Sequence, residues 1–452
     1  MIMITKKSPK IIRTDKWQLN PNAKQKVLFA RTVEIYRRYS RYLVGIVFTH
    51  WPKLASKSSQ EVIPAVERLM HRTAKNPSIK YSQINRVFPK FPSYYRRAAI
   101  AFAVGQVSSF MTRYRDWQCG NSRHKRTVLP PKLNANAGCY PTLYKGQCYR
   151  IDNFNSVQIK CFNGKEWVWT TVQIVGLRDR HEVPNNKMVS PSLIFNKNSC
   201  HLSVPFECKP DNIEGNSNVT AVDLGINTTA TITVVSFDGT VIHREFIHPG
   251  RDIDRRDKRL KSVSLKAKKT MGKGGNLHRG FCRVIYRKCR NINKQISHLV
   301  SKRIVQIAFR YNSEAIVFEK LFGWKPKGGK KRSTLKQRFH GWLKSAIVNL
   351  TEEKWSELGG KTVTVIAAYT SKLAYDGSGL VKRDANNYAL AKFSNSRRYN
   401  ADLNASQNIA ARGILKLTRR NDRKDSTSKC SGKSPRSWAC LCDLWTPKSV
   451  SV

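Results

Sequence analysis

Two hydrophobic periods alternate along the chain. Between residues 18 and 117 apolar positions recur every three or four residues, the spacing of helices with one buried face. "LNPNAKQKVLFARTVEIYRRYSRYLVGIVF" predicts a first long helix, with Asn20 as its cap and Pro21 in its first turn. Its expected buried stripe is Leu28, Ile35, Tyr39, Tyr42 and Ile46. "PSYYRRAAIAFAVGQVSSFMTRYRDW" predicts a second long helix, again starting after a proline. Residues 1–17 read as an N-terminal arm or first strand, and 18–117 as a helical domain. From 154 to 206 the period falls to two, the signature of strands with one covered face. "VQIKCFNGKEWVWTTVQIV" predicts a hairpin turning at Asn163-Gly164, and "LIFNKNSCHLSVPF" a second turning at Lys197-Asn198. Residues 118–215 therefore read as a small antiparallel sheet or barrel.

Beyond residue 216 the pattern can be followed element by element. Strands are expected at 219–225 and 228–236, and Asp238-Gly239 turns into a third at 240–247. A helix over 291–310 presents Ile292, Ile296, Val300, Ile304 and Ile307 on one face. "AIVF" (315–318) is a short buried strand ending on Glu319. A helix over 335–358 places Phe339, Trp342, Ala346 and Leu350 on one face and stops at Gly359-Gly360. "TVTVIAA" predicts a fifth strand, and 401–415 a last amphipathic helix capped by Asn400. Three meandering strands followed by helix, strand, helix, strand and helix is the order of an RNase H-like nuclease or transposase core. The fold class expected is α/β and multidomain, with this core over 216–370 and 400–415 behind a helical domain and a β domain.

In that order the first strand is central and the fourth lies beside it. Asp223 interrupts an apolar strand, where an unpaired carboxylate is costly. Glu319 ends the fourth strand, and Asp402 falls in the first turn of the last helix, where the helix dipole favours an acid. Three carboxylates delivered to one place repel each other unless cations intervene. Two Mg²⁺ ions would neutralise them, activate a water and stabilise the leaving oxygen of a phosphodiester. Asp223, Glu319 and Asp402 are thus the expected catalytic acids and metal ligands, with Asp223 bridging. Asp376 and Asp384 read as solvated loop acids.

Charge narrows the partners. Lys+Arg number 83 against 29 Asp+Glu in 452 residues, a formal charge of +54. A folded chain this basic repels itself until a polyanion neutralises it, and nucleic acid is the first choice. No run is long and apolar enough to span a bilayer, so a cytoplasmic, nucleoid-associated protein without a membrane partner is expected. The 11 Cys are scattered, with no Cys-x-x-Cys, which favours reduced thiols over a disulfide framework. In the tail, Cys430, Cys440 and Cys442 lack a fourth zinc ligand, and 416–452 reads as a basic, disordered tail. The basic insertion 251–290 reads as a helical arm on nucleic acid through Arg255, Arg256, Arg259, Lys268 and Lys269, or as a solvated loop. Trp324 with Lys325, Lys327, Lys330 and Lys331 suits a grip on a nucleic-acid backbone, or a lid. Tyr94, Tyr95, Arg96 and Arg97 open the second long helix and suit either groove contacts or, for the tyrosines, the core.

"VDLGINTTATI", "AIVFEKLFGW", "AAYTSKLAYDGSG" and "NADLNASQNIAARGI" resemble the RuvC-type core of the TnpB family, transposon-encoded proteins of the OrfB type ancestral to type V CRISPR effectors. The resemblance covers about 219–415; the segments before it fit the family's recognition and wedge domains by order and size. It implies an RNA-guided DNA endonuclease that binds a guide RNA, one chain per RNA, and double-stranded target DNA, checks a short adjacent motif and cuts in one site. By motif, Asp223, Glu319 and Asp402 are that site's acids. The family's zinc ribbon is degenerate here: "TSKLAYDGSG" has Ala374 and Gly377 at the first cysteine pair, and "KFSNSRRYNAD" has no cysteine. The lobe 371–399 is therefore expected to hold no zinc and to lean on the flanking strand and helix. Two other readings use the same residues: a guide-RNA-dependent DNA-binding protein with weak or no cleavage, and a transposase performing strand transfer.

Overall fold

The computed structural model describes residues 11–445 apart from 75, 121–128, 135–138, 154, 176–186, 197–198, 209, 211–217, 227, 273–274, 322–340, 385–386 and 426–438. The chain divides into two compact units, Met1–Lys209 and Pro210–Val452.

The first unit opens with β1 (Ile11–Asn20), whose one covered face brings Trp17 and Leu19 into the core. Because the strand continues to Asn20, the helix start moves on and Asn22, not Asn20, caps α1 (Ala23–Thr49). The Asn22 side chain accepts from the Gln25 amide, and the Gln25 side chain accepts from the Asn22 amide, both at 2.9 Å. The buried stripe of α1 keeps Tyr39 and Ile46 of the expected one and is otherwise rotated. Phe29, Val33, Tyr36, Tyr39, Leu43 and Val47 are buried, while Leu28 and Ile35 are half-buried and Tyr42 is exposed. The short helix α2 (Trp51–Leu54), then α3 (Ser59–Met70) and α4 (Gln83–Val87), lead to α5 (Ser93–Gln118), which packs on α1.

Six further strands complete an antiparallel sheet: β2 (Tyr149–Asn153), β3 (Ser156–Phe162), β4 (Trp167–Val175), β5 (Lys187–Met188), β6 (Ser192–Asn196) and β7 (Ser199–Cys208). Their order is β2-β3-β4-β1-β7-β5, with β6 also paired to β7. The β3–β4 register sets Phe162 opposite Trp167, so the turn centres on Gly164-Lys165, one position later than expected. The Asn163 side chain causes the shift by accepting from the amides of Lys165 and Glu166, at 2.8 and 2.9 Å. In the second hairpin Asn196 opposes Ser199, and Lys197-Asn198 lies outside the described residues. Helices and sheet share one core, joining Phe29, Tyr36 and Leu43 of α1, Tyr95 and Ile100 of α5, and Ile159 and Leu202 of the sheet.

The second unit is built on β8 (Asn218–Asp223), β9 (Ala230–Ser236), β10 (Val241–Ile247), β11 (Ser313–Glu319) and β12 (Lys361–Val365), in the order β10-β9-β8-β11-β12. The first three are antiparallel; β11 runs parallel to both β8 and β12. The central β8 is covered on both faces, which explains why its residues 219–222 are buried without alternation. On one face Val222, Ile232 and Phe318 pack against Ile292, Ile296, Val300 and Ile304 of α7 (Arg283–Arg310) and Ile347 and Trp355 of α8 (Lys344–Glu357). On the other, Val219, Ala221, Val317 and Val363 meet Ile409, Ala410 and Ile414 of α9 (Ala401–Asp425). Each such aliphatic side chain contributes about 1.5–3 kcal/mol when fully buried. The α9 contact is close enough that a Cβ on Gly413 would stand 2.5 Å from a Val317 methyl.

Several expectations shift here. The buried face of α8 is Ile347, Thr351 and Trp355; Ala346 is exposed, Trp342 and Leu350 are half-buried, and Phe339 lies outside the described residues. The insertion is a helix, α6 (Gly250–Met271), packed on an α7 that begins eight residues before the expected 291. The lobe after β12 forms its own antiparallel sheet, β13 (Lys382–Arg383), β14 (Leu390–Lys392) and β15 (Arg398–Asn400). It does not merely lean on its neighbours. Ala374, Ala391, Phe393 and Ala401 make a small core, flanked by Tyr375, Val381 and Tyr399. The tail is also more ordered than expected, since α9 continues to Asp425 and Ala439, Cys440 and Leu441 are buried.

Candidate active site

β8 and β11 are parallel neighbours with Val222 opposite Phe318. Side chains alternate across a strand. Val222 and Phe318 face α7 and α8, so the residues that follow them, Asp223 and Glu319, face the α9 side. The first turn of α9 carries Asp402. Asn400 shapes that turn as its cap, its side-chain oxygen accepting from the amides of Asp402 at 2.9 Å and Leu403 at 3.0 Å. The three acids are half-buried, and Asp223 feels the charges of both Glu319 and Asp402.

The surrounding residues were not legible as site residues. The Thr370 hydroxyl donates to Glu319. The Arg383 guanidinium stands 3.8 Å from an Asp402 oxygen, and Thr228 is near enough to favour the ionised form of Asp402. Thr370 is held in place by polar residues of α9. Arg412 Nη1 donates to the carbonyls of Ile366 and Ala368, both at 2.7 Å. Asn408 Nδ2 donates to Thr370 O at 3.0 Å and Leu373 O at 2.8 Å. Asn404 donates to Leu373 O at 2.7 Å and accepts from the Tyr375 amide at 2.8 Å. One signal was available in the sequence: Asn404, Asn408 and Arg412 recur every four residues in a helix otherwise rich in alanine and isoleucine.

Burial raises the proton affinity of all three acids. For Asp223 the charges of Glu319 and Asp402 raise it further, well above the ordinary value, with Arg383 only partly offsetting them. Glu319 is raised by burial against the opposing pull of Thr370 and Arg412, and Asp402 by burial against Arg383 and Thr228. Three hard oxygen donors that resist ionising together fit divalent cations of the Mg²⁺ class, whose charge inverts this balance.

A stability prediction follows. Without divalent ions the folded state holds these protons more tightly than the unfolded chain. It binds more protons between the two pKa values, and this contribution to stability falls as pH rises above about 4. Asp223→Asn removes the penalty. In EDTA near neutral pH the variant is expected to be more stable than the parent by about 1–3 kcal/mol, the cost of an unsatisfied buried group. The difference shrinks as pH falls towards about 4. Thermal melts at several pH values check this; a variant less stable than the parent in EDTA at neutral pH contradicts it.

The expected nucleic-acid residues separate into free and committed ones. Tyr95 is fully buried, stacked on Trp167 at 5.1 Å with its hydroxyl bonded to Lys160 O at 2.8 Å, and is out of reach of any ligand. Arg96 is paired with Glu67 at 3.2 Å and only 12% exposed. Tyr94 is half-buried against Tyr144, and Arg97 is exposed. Arg256 is also removed from the expected interface. It is 5% exposed and ties α6 to its surroundings through Asp257 at 2.8 Å, Asn293 at 3.3 Å and Gly341 O at 2.9 Å. Lys268 and Lys269 are exposed, Arg255 is exposed but paired with Asp252 at 3.0 Å, and Arg259 is half-buried. Trp324, Lys325, Lys327, Lys330 and Lys331 lie outside the described residues. Among the described residues no helix is long and apolar enough to cross a membrane.

Comparison with known proteins supports the fold. The chain is similar to the mini RNA-guided endonuclease CRISPR-Cas_phi3, with 10% identity over 90% of this chain and 92% of that one, and a TM-score of 0.50. A Cas12f1–sgRNA–target DNA complex aligns over 88% of this chain and 99% of that one at 14% identity, with a TM-score of 0.33. C2c1 of Alicyclobacillus acidoterrestris, bound to single-guide RNA, aligns over 85% and 69% at 12% identity, with a TM-score of 0.43. The chain thus has a mixed α/β multidomain fold that matches type V effector structures. A model of the Aq_aa04 family matches residues 13–163, less than half of the chain. No curated protein sequence matches it.

Proposed function

We propose that this chain is an RNA-guided DNA endonuclease of the TnpB type, associated with a transposon, which hydrolyses phosphodiester bonds in one RuvC-like site. The observation that carries the reading is that Asp223 and Glu319 end the adjacent interior strands β8 and β11 of a sheet ordered β10-β9-β8-β11-β12, where Asp223 also feels the charge of Asp402 from the first turn of α9. That order, with α7 and α8 on one face and α9 on the other, is the order of an RNase H-like core. Guide RNA and double-stranded DNA are the partners that the fold likeness and the +54 charge support.

Asp223, Glu319 and Asp402 would hold two Mg²⁺ ions. Such ions, when bound, activate a water and stabilise the leaving oxygen. The chain's own contribution is placement. Thr370 orients Glu319, Arg383 stands beside Asp402, and Asn404, Asn408 and Arg412 fix the loop that carries Thr370. The exposed cations of α6, Arg255, Lys268 and Lys269, would track phosphates without reading sequence.

The test is to purify the protein with its bound RNA, sequence that RNA, and offer a plasmid carrying the matching target beside randomised flanks. Double-strand cutting that needs both RNA and Mg²⁺ is the expected result. Tight RNA-dependent binding without cutting would replace the reading by a guided DNA-binding protein, and joining of cut ends to new DNA by a transposase.

A further inference from the structure

The C-terminal segment carries a second constellation whose donor groups are not among those of the acidic site, although Arg412 and Tyr375 help to hold both. Cys440 and Cys442 bring their sulfurs to 3.2 Å, slightly closer than the roughly 3.8 Å that two thiolates take on one tetrahedral ion, so a small opening of the pair suffices to admit it. Asp443 Oδ2 lies 3.8 Å from Cys440 Sγ and accepts from the Cys440 amide at 3.0 Å. One donor atom from each residue falls within 4.8 Å of the others.

This cluster is held in place by its surroundings. Leu441 is fully buried in the core under α9, and Leu444 packs against the same core. Arg412 Nε donates to Ala439 O at 3.1 Å, the Cys442 amide donates to Tyr375 O at 2.9 Å, and Trp445 Nε1 donates to Gly239 O at 3.2 Å. Cys442 is seated directly on the lobe, because a Cβ on Gly377 would stand 2.6 Å from its sulfur. Gly377 also has φ +78, which other residues rarely adopt. A short turn anchored on both sides therefore presents two thiols and a carboxylate to one point, with little ordering left to do on binding.

We propose that Cys440, Cys442 and Asp443 bind one thiophilic divalent cation of the zinc class. Both thiols release their protons to solvent, and the ion takes the two sulfurs and one carboxylate oxygen. Two thiolates select zinc or cadmium over Mg²⁺. Three protein ligands leave a fourth tetrahedral position for water or an incoming group. Once filled, the site pins the 439–445 segment against the 374–377 turn of the lobe. The lobe's own sequence supplies no cysteine, so the donors come from the tail.

The test reads metal binding, not cleavage, and so stands apart from the proposed function. The full-length chain is stripped with a chelator under reducing conditions and titrated with Cd²⁺ alone, following the ultraviolet sulfur-to-metal absorption. The expected result is one ion per chain with the amplitude of two thiolates. Cys440→Ser and Cys442→Ser should each halve the amplitude and weaken binding by about 100-fold or more, beyond what changes outside the ligand shell usually produce. Asp443→Asn, at an exposed position that tolerates the change, should keep the amplitude and weaken binding about 10-fold. Gly377→Ala removes no ligand but displaces Cys442 Sγ, and should also weaken binding. An unchanged band in the Cys440→Ser/Cys442→Ser double variant would place the ion on other cysteines and overturn the site. The absence of any band in the parent, or parent-like affinity in Asp443→Asn, would overturn it as well.

Discussion

Asp223→Ala is expected to cut at least about 10³-fold more slowly than the parent while binding RNA and DNA within about twofold. A single preorganised electrostatic partner is already worth about 10²–10³ in rate. Asp223 is placed to do more, since it feels the charges of both other acids and ends a central strand that is buried over 219–222. Binding should be spared for a different reason. The groups proposed to meet phosphates are lysines and arginines on surfaces such as α6, and removing one carboxylate from a chain of charge +54 changes the total field little. Cleavage of a guided plasmid and filter binding of its RNA, measured on one preparation, check both halves. Parent-like cleavage in Mg²⁺ would sink the assignment of the acids. Loss of RNA binding would point to a folding defect, but the stability expected of Asp223→Asn in EDTA argues against one, because removing this charge relieves repulsion.

The second large effect is on salt. If about six to ten cations meet phosphates, affinity for RNA should fall about 10³–10⁵-fold between 50 and 200 mM salt through counterion release. The slope of log affinity against log salt should flatten by about 3 when Arg255, Arg259, Lys268 and Lys269 are all replaced by alanine. Arg256→Ala is the control. Its guanidinium is committed to Asp257, Asn293 and Gly341, so it should lower thermal stability and leave the slope alone. A slope near zero for the parent would remove nucleic acid as the polyanion that balances this chain. An unchanged slope in the fourfold variant would move the interface off α6.

The sequence was most informative where a residue broke its local pattern. Asp223 and Glu319 are acids at the ends of apolar strands, and Asp402 is an acid just inside a capped helix; each anomaly is visible within ten residues. The element order was visible for the same reason, because period two and period 3.6 are properties of the local chain. The α7 stripe, Ile292 to Ile307, is buried as its spacing implies.

Which side of a helix is covered was less legible where several faces are tolerably apolar. A shift of one residue rotates the face by about 100°. On α1 both the Leu28–Ile35 and the Phe29–Tyr36 stripes are plausible, and contact with α5 and the sheet selects the second. On α8 the choice falls to Trp355, whose indole lies over Gly360 and donates to Lys361 O at 3.1 Å.

What the sequence determined by itself was the order of the main strands and helices, the position of three acids at the ends of those elements and the excess of positive charge, all of which follow from local pattern or composition. Only the tertiary structure decided which polar and aromatic groups are left free. Tyr95 and Arg256 are lost to the interface because Trp167, Lys160, Asn293 and Gly341 arrive from distant segments to cover them. Thr370 gains its place at Glu319 because Asn404, Asn408 and Arg412 reach across from α9. Cys440 and Cys442 become a fixed donor pair because the core under α9 takes in Leu441. Burial and hydrogen bonding depend on partners far along the chain, and the period of a short segment carries no information about them.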